Sequence, residues 1–109
     1  MNSIILSGRV AAKLRENETP NGNRVIHFPI AVRKSFKKDE KGNYPVNYFR
    51  VEAWSAVANT CKERLAVGDL INVQGRLDMD IYPDDQGKKQ YRAKIVANVI
   101  EFLTPRDRK

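Results

Sequence analysis

The chain is poor in the residues that most often carry chemistry. It has a single cysteine, Cys61, and a single histidine, His27, among 109 residues. One cysteine excludes an internal disulfide, and the two together exclude a Cys/His zinc site within one chain. A run of about 18 apolar residues, the least that spans a membrane as a helix, is absent. The charged n-region and apolar h-region of a secretory signal are also missing, because strand-like alternation begins at Ile4. The chain therefore reads as cytoplasmic. No glycine-rich loop leads into a helix to cradle a phosphate, and the strand pattern brings together no Cys–His or Ser–His–Asp set. Acidic pairs do occur, Asp78 with Asp80 and Asp84 with Asp85. The first pair shares an exposed strand face and the second a turn, and neither has the apolar surroundings that raise a carboxyl pKa. These absences argue against an enzyme, and no cofactor or metal is expected.

What the chain has in excess is positive charge. Twenty Lys and Arg against thirteen Asp and Glu give a net charge of +7 and a pI near 9.8. Such a balance favours a polyanionic partner, nucleic acid before an acidic membrane, with bare solubility as the plainer alternative. Hydrophobic content of 41% and charged content of 30% are those of a folded globular chain, and its length leaves room for one domain with one core.

Taken in order, Ile4 to Val10 alternates as a short strand, and Gly8 inside it suggests a bulge or a close backbone approach. Lys13 to Asn23 is a polar connection ending in the turn Thr19-Pro20-Asn21-Gly22-Asn23. Val25 to Arg33 is a second strand with Ile26, Phe28, Ile30 and Val32 on its core face. Pro29, which has no N–H, confines that part of the strand to an edge or a bulge. A long basic loop with Gly42-Asn43 at its tip leads to a third strand around Tyr48 to Trp54. Ala56 to Val67 carries Val57, Cys61 and Leu65 at helical spacing with Ala58 alongside, Ser55 suits the N-cap and Gly68 the C′ position. Cys61 on that stripe is a core residue. Asp69 to Tyr82 is the longest strand, with Ile71, Val73, Gly75, Leu77, Met79 and Ile81 inward and Asn72, Gln74, Arg76, Asp78, Asp80 and Tyr82 outward. After the turn at Pro83 to Lys89, a last strand runs from Gln90 to Leu103 and turns apolar on both faces, as though covered by another subunit. Three strands, one helix and two strands with glycine corners predict an all-β OB-fold barrel of five strands, the helix between the third and the fourth.

The third strand organises the rest. Phe49, Val51 and Ala53 form its core face, while Tyr48, Arg50, Glu52 and Trp54 face out. Two large rings bracketing an arginine on a rigid strand are what unpaired bases stack on. The alternative is that the rings cover a subunit interface, where Tyr and Trp are also enriched. Phe36 sits among five cations in the basic loop, with nothing nearby to bury against. Four aromatics, Phe36, Tyr48, Trp54 and Tyr82, thus fall outside the inferred core, interleaved with Arg33, Lys34, Lys37, Arg50, Arg76, Lys88 and Lys89. A duplex hides its base faces, so a single strand is the better fit.

Ile5-Leu6-Ser7-Gly8-Arg9-Val10, Thr19-Pro20-Asn21-Gly22, Phe28-Pro29-Ile30-Ala31-Val32, Tyr48-Phe49-Arg50-Val51 into Trp54, Gly68-Asp69 into Val73-Gln74-Gly75-Arg76-Leu77, and Asp85-Gln86-Gly87 with Tyr91 to Leu103 stand in an order and spacing that resembles the bacterial single-stranded DNA-binding protein family over roughly the whole chain. The resemblance implies an OB-fold domain over 1–104 followed by a short basic tail at 105–109. It also implies a homotetramer on cytoplasmic, nucleoid-associated single-stranded DNA in replication, recombination or repair, acting without catalysis. It places the family's four stacking aromatics on Phe36, Tyr48, Trp54 and Tyr82. Asp78 and Asp80 depart from the basic residues common there, which weakens or displaces a strand path beside Tyr82. The chain also stops at Arg106-Asp107-Arg108-Lys109, where members usually continue to an acidic tail that recruits partner enzymes. It reads as a short form, either natural or trimmed from a longer chain, and as the sequence stands such recruitment is not expected. An OB-fold adaptor of a primosome, an RNA-binding module or a structural subunit would share the basic charge and the aromatics.

Overall fold

The computed structural model describes residues 1–104; the expected basic tail at 105–109 lies outside the described residues. The elements are β1 (Ile4–Val10), β2 (Arg15–Glu18), β3 (Arg24–Arg33), β4 (Val46–Trp54), α1 (Ser55–Arg64), β5 (Leu70–Pro83) and β6 (Lys89–Phe102). Five strands close into a barrel in the order β1-β5-β6-β4-β3, and β3 returns to β1 through Arg9↔Ala31 and Val10↔Ile30. Only the β4–β6 pair is parallel; the other pairs are antiparallel. These five are the strands expected from alternation, with α1 between the third and fourth barrel strands.

The core follows the period-two pattern. Val10, Ile26, Phe28, Ile30, Val51, Ala53, Ile71, Val73 and Ile95 fill the barrel, and Ala58, Cys61 and Leu65 of α1 join the same cluster. Burial pushes the Cys61 thiol up to about 11, so Cys61 is a small core residue and a poor nucleophile. Both strand glycines mark close approaches. A Cβ on Gly8 would stand 2.7 Å from the Ala31 carbonyl oxygen, and one on Gly75 would overlap the Val96 carbonyl oxygen. Gly75 lies at the one irregular step of the β5–β6 ladder, between Gln74 and Gly75. There Asn98 of β6 is the extra residue, between the pairs Gln74↔Val99 and Gly75↔Ala97.

Pro29 occupies the gap where β3 changes partners. Its neighbours on that side are β2, up to Arg15↔His27, and β1, from Val10↔Ile30. In an antiparallel strand the N–H and C=O of a residue point the same way. The Pro29 carbonyl accepts from Ala11 N–H at 2.9 Å on this side, so the missing N–H falls between two ladders and costs neither a bond.

Four sequence expectations are corrected. The polar stretch Lys13–Asn23 contains β2, whose four residues are all exposed. They lack alternation because both faces meet solvent, and pairing to β3 makes them a strand. Ser55 is the first residue of α1 and has φ +51, with no side-chain cap bond from Trp54 before it. The helix ends at Arg64, and Gly68, with φ +93, belongs to the turn beyond, where its N–H donates to Val10 O at 2.8 Å. Leu77, Met79 and Ile81 are exposed rather than inward. β5 leaves β1 after Gly75, and past the pair Leu77↔Ile95 β6 has also left β4, so the alternation continues into a two-stranded β5–β6 ribbon with no core beneath it.

Candidate nucleic-acid interface

The outer row of β4 is Tyr48, Arg50, Glu52 and Trp54. Opposite them on β3 stand Ala31, Pro29, His27 and Val25. Ala31 is small, and Tyr48 remains 68% exposed beside it. Tyr82, also exposed, projects from the β5–β6 ribbon in phase with Asp80. Asp80 reaches Arg50 and Lys94, which places the row ending in Tyr82 on the same side of the molecule as the outer row of β4.

Between the rings lies a charge cluster. Glu52 was expected to face solvent. It does point outward, but three neighbours cover it and leave it 6% exposed. Trp54 Nε1 donates to Glu52 Oε2 at 2.8 Å, Lys94 Nζ donates to Oε1 at 3.0 Å, and His27 Nε2 lies 3.0 Å from Oε1. Lys94 Nζ also lies 3.0 Å from Asp80 Oδ1, and Arg50 Nη2 pairs with Asp80 Oδ2. Burial opposes the charge on Glu52, but hydrogen bonds from Trp54, Lys94 and His27, with the Lys94 charge, outweigh it and hold the carboxyl below its ordinary value. Hydrogen bonding from Lys94 lowers Asp80, helped by Arg50 and opposed by burial. Burial opposes the charge on Lys94, while its bonds to Asp80 and Glu52 prevail and raise its pKa. The indole of Trp54 is thus tied by its edge to the strand that carries it, and Trp54 stays 36% exposed.

The remaining candidates are spread more widely. Phe36 is 94% exposed on the β3–β4 loop, with Lys34 and Lys37 exposed beside it in sequence. The loop tip is shaped by Asp39, whose Oδ1 accepts from the N–H groups of Lys41 and Asn43, both at 2.9 Å. Arg33 stacks on Tyr44 with its guanidinium 3.9 Å from the ring centroid, and Lys38 lies 5.5 Å from the same ring. Lys88 and Lys89 are exposed at the β5–β6 hairpin, and Arg76 is exposed on β5. Asp84 orders that hairpin: its Oδ1 accepts from Lys88 N–H at 2.8 Å and Gln86 N–H at 2.9 Å. These backbone bonds lower its pKa. The structure therefore gathers Tyr48, Trp54, Arg50 and the strand bearing Tyr82, and leaves Phe36, Lys34 and Lys37 on the β3–β4 loop and Lys88 and Lys89 at the end of the β5–β6 hairpin.

Sequence reasoning missed Tyr44, His27 and Lys94 as parts of this surface. Tyr44 follows the Gly42-Asn43 tip closely enough to fold back on Arg33. Lys94 and His27 belong to outward rows of β6 and β3, a signal that becomes readable only once the strand registers are known.

A five-stranded closed barrel, with a helix between its third and fourth strands and rings on one outer face, is an OB-fold. The chain belongs to the single-strand binding protein family, whose model matches residues 1–103. It is 32% identical over 107 residues to the single-stranded DNA-binding protein of Bacillus cereus, covering 98% of this chain and 62% of that one. It is 29% identical to single-stranded DNA-binding protein 2 of Staphylococcus aureus, covering 98% and 76%. The chain thus spans about three fifths of the length of the first relatives it matches, 62% for Bacillus cereus. The small single-stranded DNA-binding protein of Streptomyces coelicolor superposes with TM-score 0.73 at 28% identity, covering 93% of each chain. The Plasmodium falciparum SSB, solved in complex with ssDNA, shares the fold with TM-score 0.82 at 20% identity, covering 95% of this chain and 96% of that one.

Proposed function

We propose that this chain binds single-stranded DNA without catalysis and largely without sequence preference, stacking bases on Tyr48, Trp54, Tyr82 and Phe36 and serving replication, recombination or repair. The observation that carries the reading is the outer row of β4, which holds two exposed rings, Tyr48 and Trp54, on one rigid strand. Each stacked base contributes about 1–3 kcal/mol, and every base offers a π-face. The family membership and the names of the relatives support the same ligand. Lys34 and Lys37 on the β3–β4 loop and Lys88 and Lys89 at the β5–β6 hairpin are exposed, and in this reading they supply phosphate contacts.

The reading extends to a homotetramer working in the cytoplasm on the nucleoid. Its support is the outer face of β1, β5 and β6. From Ile4 to Ser7, β1 pairs only with β5, leaving its other edge without a strand among the described residues. Ile5 and Val99 stand exposed on the same face, each opposite Gln74. An open edge beside apolar residues is suited to a second copy.

Fluorescence anisotropy with labelled oligo-dT, matched duplex and matched RNA tests the reading, alongside the mass in solution. Tight oligo-dT binding is expected, with a log–log salt slope of roughly −3 to −4 if about five phosphates are neutralised. Equal or tighter binding of duplex would overturn it, and a clear preference for RNA would replace it with an RNA-binding module.

A further inference from the structure

We infer that Arg33 is a positioning residue for single-strand binding: its guanidinium clamps the Tyr44 ring, and the clamp holds the β3–β4 loop as a pre-formed arm that carries Phe36. The inference rests on the single-strand reading above and gives Arg33 a role other than phosphate contact. The loop is lopsided, and that makes Tyr44 its brace. The β3–β4 ladder ends at Arg33↔Val46, and Lys34 N–H donates to Pro45 O at 2.8 Å just beyond it. The tip is closed separately. Asp39 N–H donates to Asn43 O at 2.7 Å and Gly42 N–H to Asp39 O at 3.0 Å, with Gly42 at φ +84. Between the two closures lie Ser35 to Lys38 on one side and Tyr44 alone on the other. Tyr44 therefore spans from base to tip. Arg33, at the base, lies 3.9 Å from its ring centroid, and Lys38, next to the tip, lies 5.5 Å from it. Both distances are within reach of cation–π attraction. The longer side bulges, and Ser35 sets its bend, its Oγ accepting from Lys37 N–H at 3.1 Å. Phe36 is the residue inside that bend, 94% exposed.

The β5–β6 tip shows what the clamp replaces. It is closed by the same turn: Asp84 N–H donates to Lys88 O at 2.8 Å, Gly87 N–H donates to Asp84 O at 3.0 Å, and Gly87 has φ +80. There the ladder runs continuously from Gly75↔Ala97 to Pro83↔Lys89. Backbone pairing carries the order of the barrel out to that tip. In the β3–β4 loop the pairing is interrupted, and the Tyr44 ring takes its place. No carboxylate pairs with Arg33 among the described residues, so none draws its guanidinium off the ring. A loop already held in one shape gives up little conformational entropy when a base settles on Phe36.

The test compares Arg33→Gln, Tyr44→Ala and Tyr44→Phe in two assays. Limited chymotrypsin digestion, with cleavage after Phe36 followed by mass spectrometry, reads the arm without DNA. Cleavage should quicken severalfold in Arg33→Gln and Tyr44→Ala and keep the wild-type rate in Tyr44→Phe, which retains the ring. Oligo-dT titration over a salt series reads the role in binding. Arg33→Gln and Tyr44→Ala should each weaken binding by about two- to fivefold, the scale of one exposed cation–π contact. The double variant should be no weaker than either alone, and Tyr44→Phe should match the wild type. The log–log slope should be unchanged in Arg33→Gln, whereas a lost phosphate contact would remove about 0.7 from it. A slope shallower by that amount overturns the positioning role and makes Arg33 a phosphate ligand. Unchanged cleavage in both Arg33→Gln and Tyr44→Ala overturns the clamp whatever the binding. Failure of the wild type to bind oligo-dT removes the single-strand reading instead, and the digestion still reads the clamp. If Tyr44→Ala melts early by circular dichroism, Arg33→Gln, at an exposed strand end, decides the matter.

Discussion

Removing the Glu52 carboxylate would expose how strongly the charge cluster supports both fold and platform. In Glu52→Ala, Lys94, with a side chain only 14% exposed, keeps Asp80 at 3.0 Å but loses its second carboxylate partner, also at 3.0 Å. Trp54 Nε1 loses the acceptor it meets at 2.8 Å. A buried polar group left without its partner costs about 1–3 kcal/mol, and breaking a fully buried ion pair about 3–5 kcal/mol. Because Asp80 remains and the rim is partly open, we expect a loss of about 2–3 kcal/mol, which lowers Tm by about 10 °C in a domain of this size. Glu52→Gln retains an acceptor for Trp54 and should lose only about 1 kcal/mol. Urea unfolding followed by circular dichroism and by Trp54 emission measures both, and the native emission maximum should shift in the Ala variant alone. The pH dependence carries a further signature. Glu52 and Asp80 are held below their ordinary values of 4.5 and 3.8. Their contribution is therefore complete above those values and disappears as pH falls through the lowered ones. Lys94 is held above its ordinary 10.5, so its contribution is complete below that value and is lost as pH rises through the raised one. Glu52→Gln should flatten the acid limb. A Glu52→Ala protein as stable as wild type, with unchanged emission, would refute the reasoning.

Further expectations follow from single contacts. Tyr48→Ala should weaken oligo-dT binding by about 1–3 kcal/mol with little effect on stability, measured by anisotropy and thermal melting, since its ring is exposed. Asp80→Asn should free Arg50 for phosphate, steepening the log–log salt slope by about 0.7; an unchanged slope would mean that Arg50 does not reach the strand. Gly75→Ala places a methyl group against the Val96 carbonyl oxygen and should destabilise by about 2 kcal/mol or more in urea unfolding, because backbone on both sides has to move.

Much of the barrel was legible because the inward residues of each strand keep a strict period of two. Ile26, Phe28 and Ile30 face Ala53, Val51 and Phe49 across the β3–β4 ladder, as alternation requires. Gly8 announced a close approach and Gly75 a barrel corner, and at both a Cβ would meet a backbone carbonyl oxygen. Alternation misled at Leu77, Met79 and Ile81, since a period reports which residues share a face and not whether anything covers that face. β2 was hidden for the converse reason: a short ribbon wet on both sides has no hydrophobic period to detect. In the candidate site, the exposed rings of Tyr48, Trp54 and Tyr82 were readable as aromatics out of phase with the core. The pairing of Glu52 with Lys94 was not, because the two are joined only through the parallel β4–β6 contact, where Glu52 stands opposite Val96. Nor was the neutralisation of Arg50 by Asp80, which depends on how the ribbon overhangs β4.

The most direct measurement is the emission of Trp54, the single tryptophan, during titration with oligo-dT in low salt. Stacking on the outer face of β4 predicts saturable quenching that salt reverses. Emission that stays constant at stoichiometric protein, while anisotropy reports the oligonucleotide bound, would contradict the placement of bases on this face.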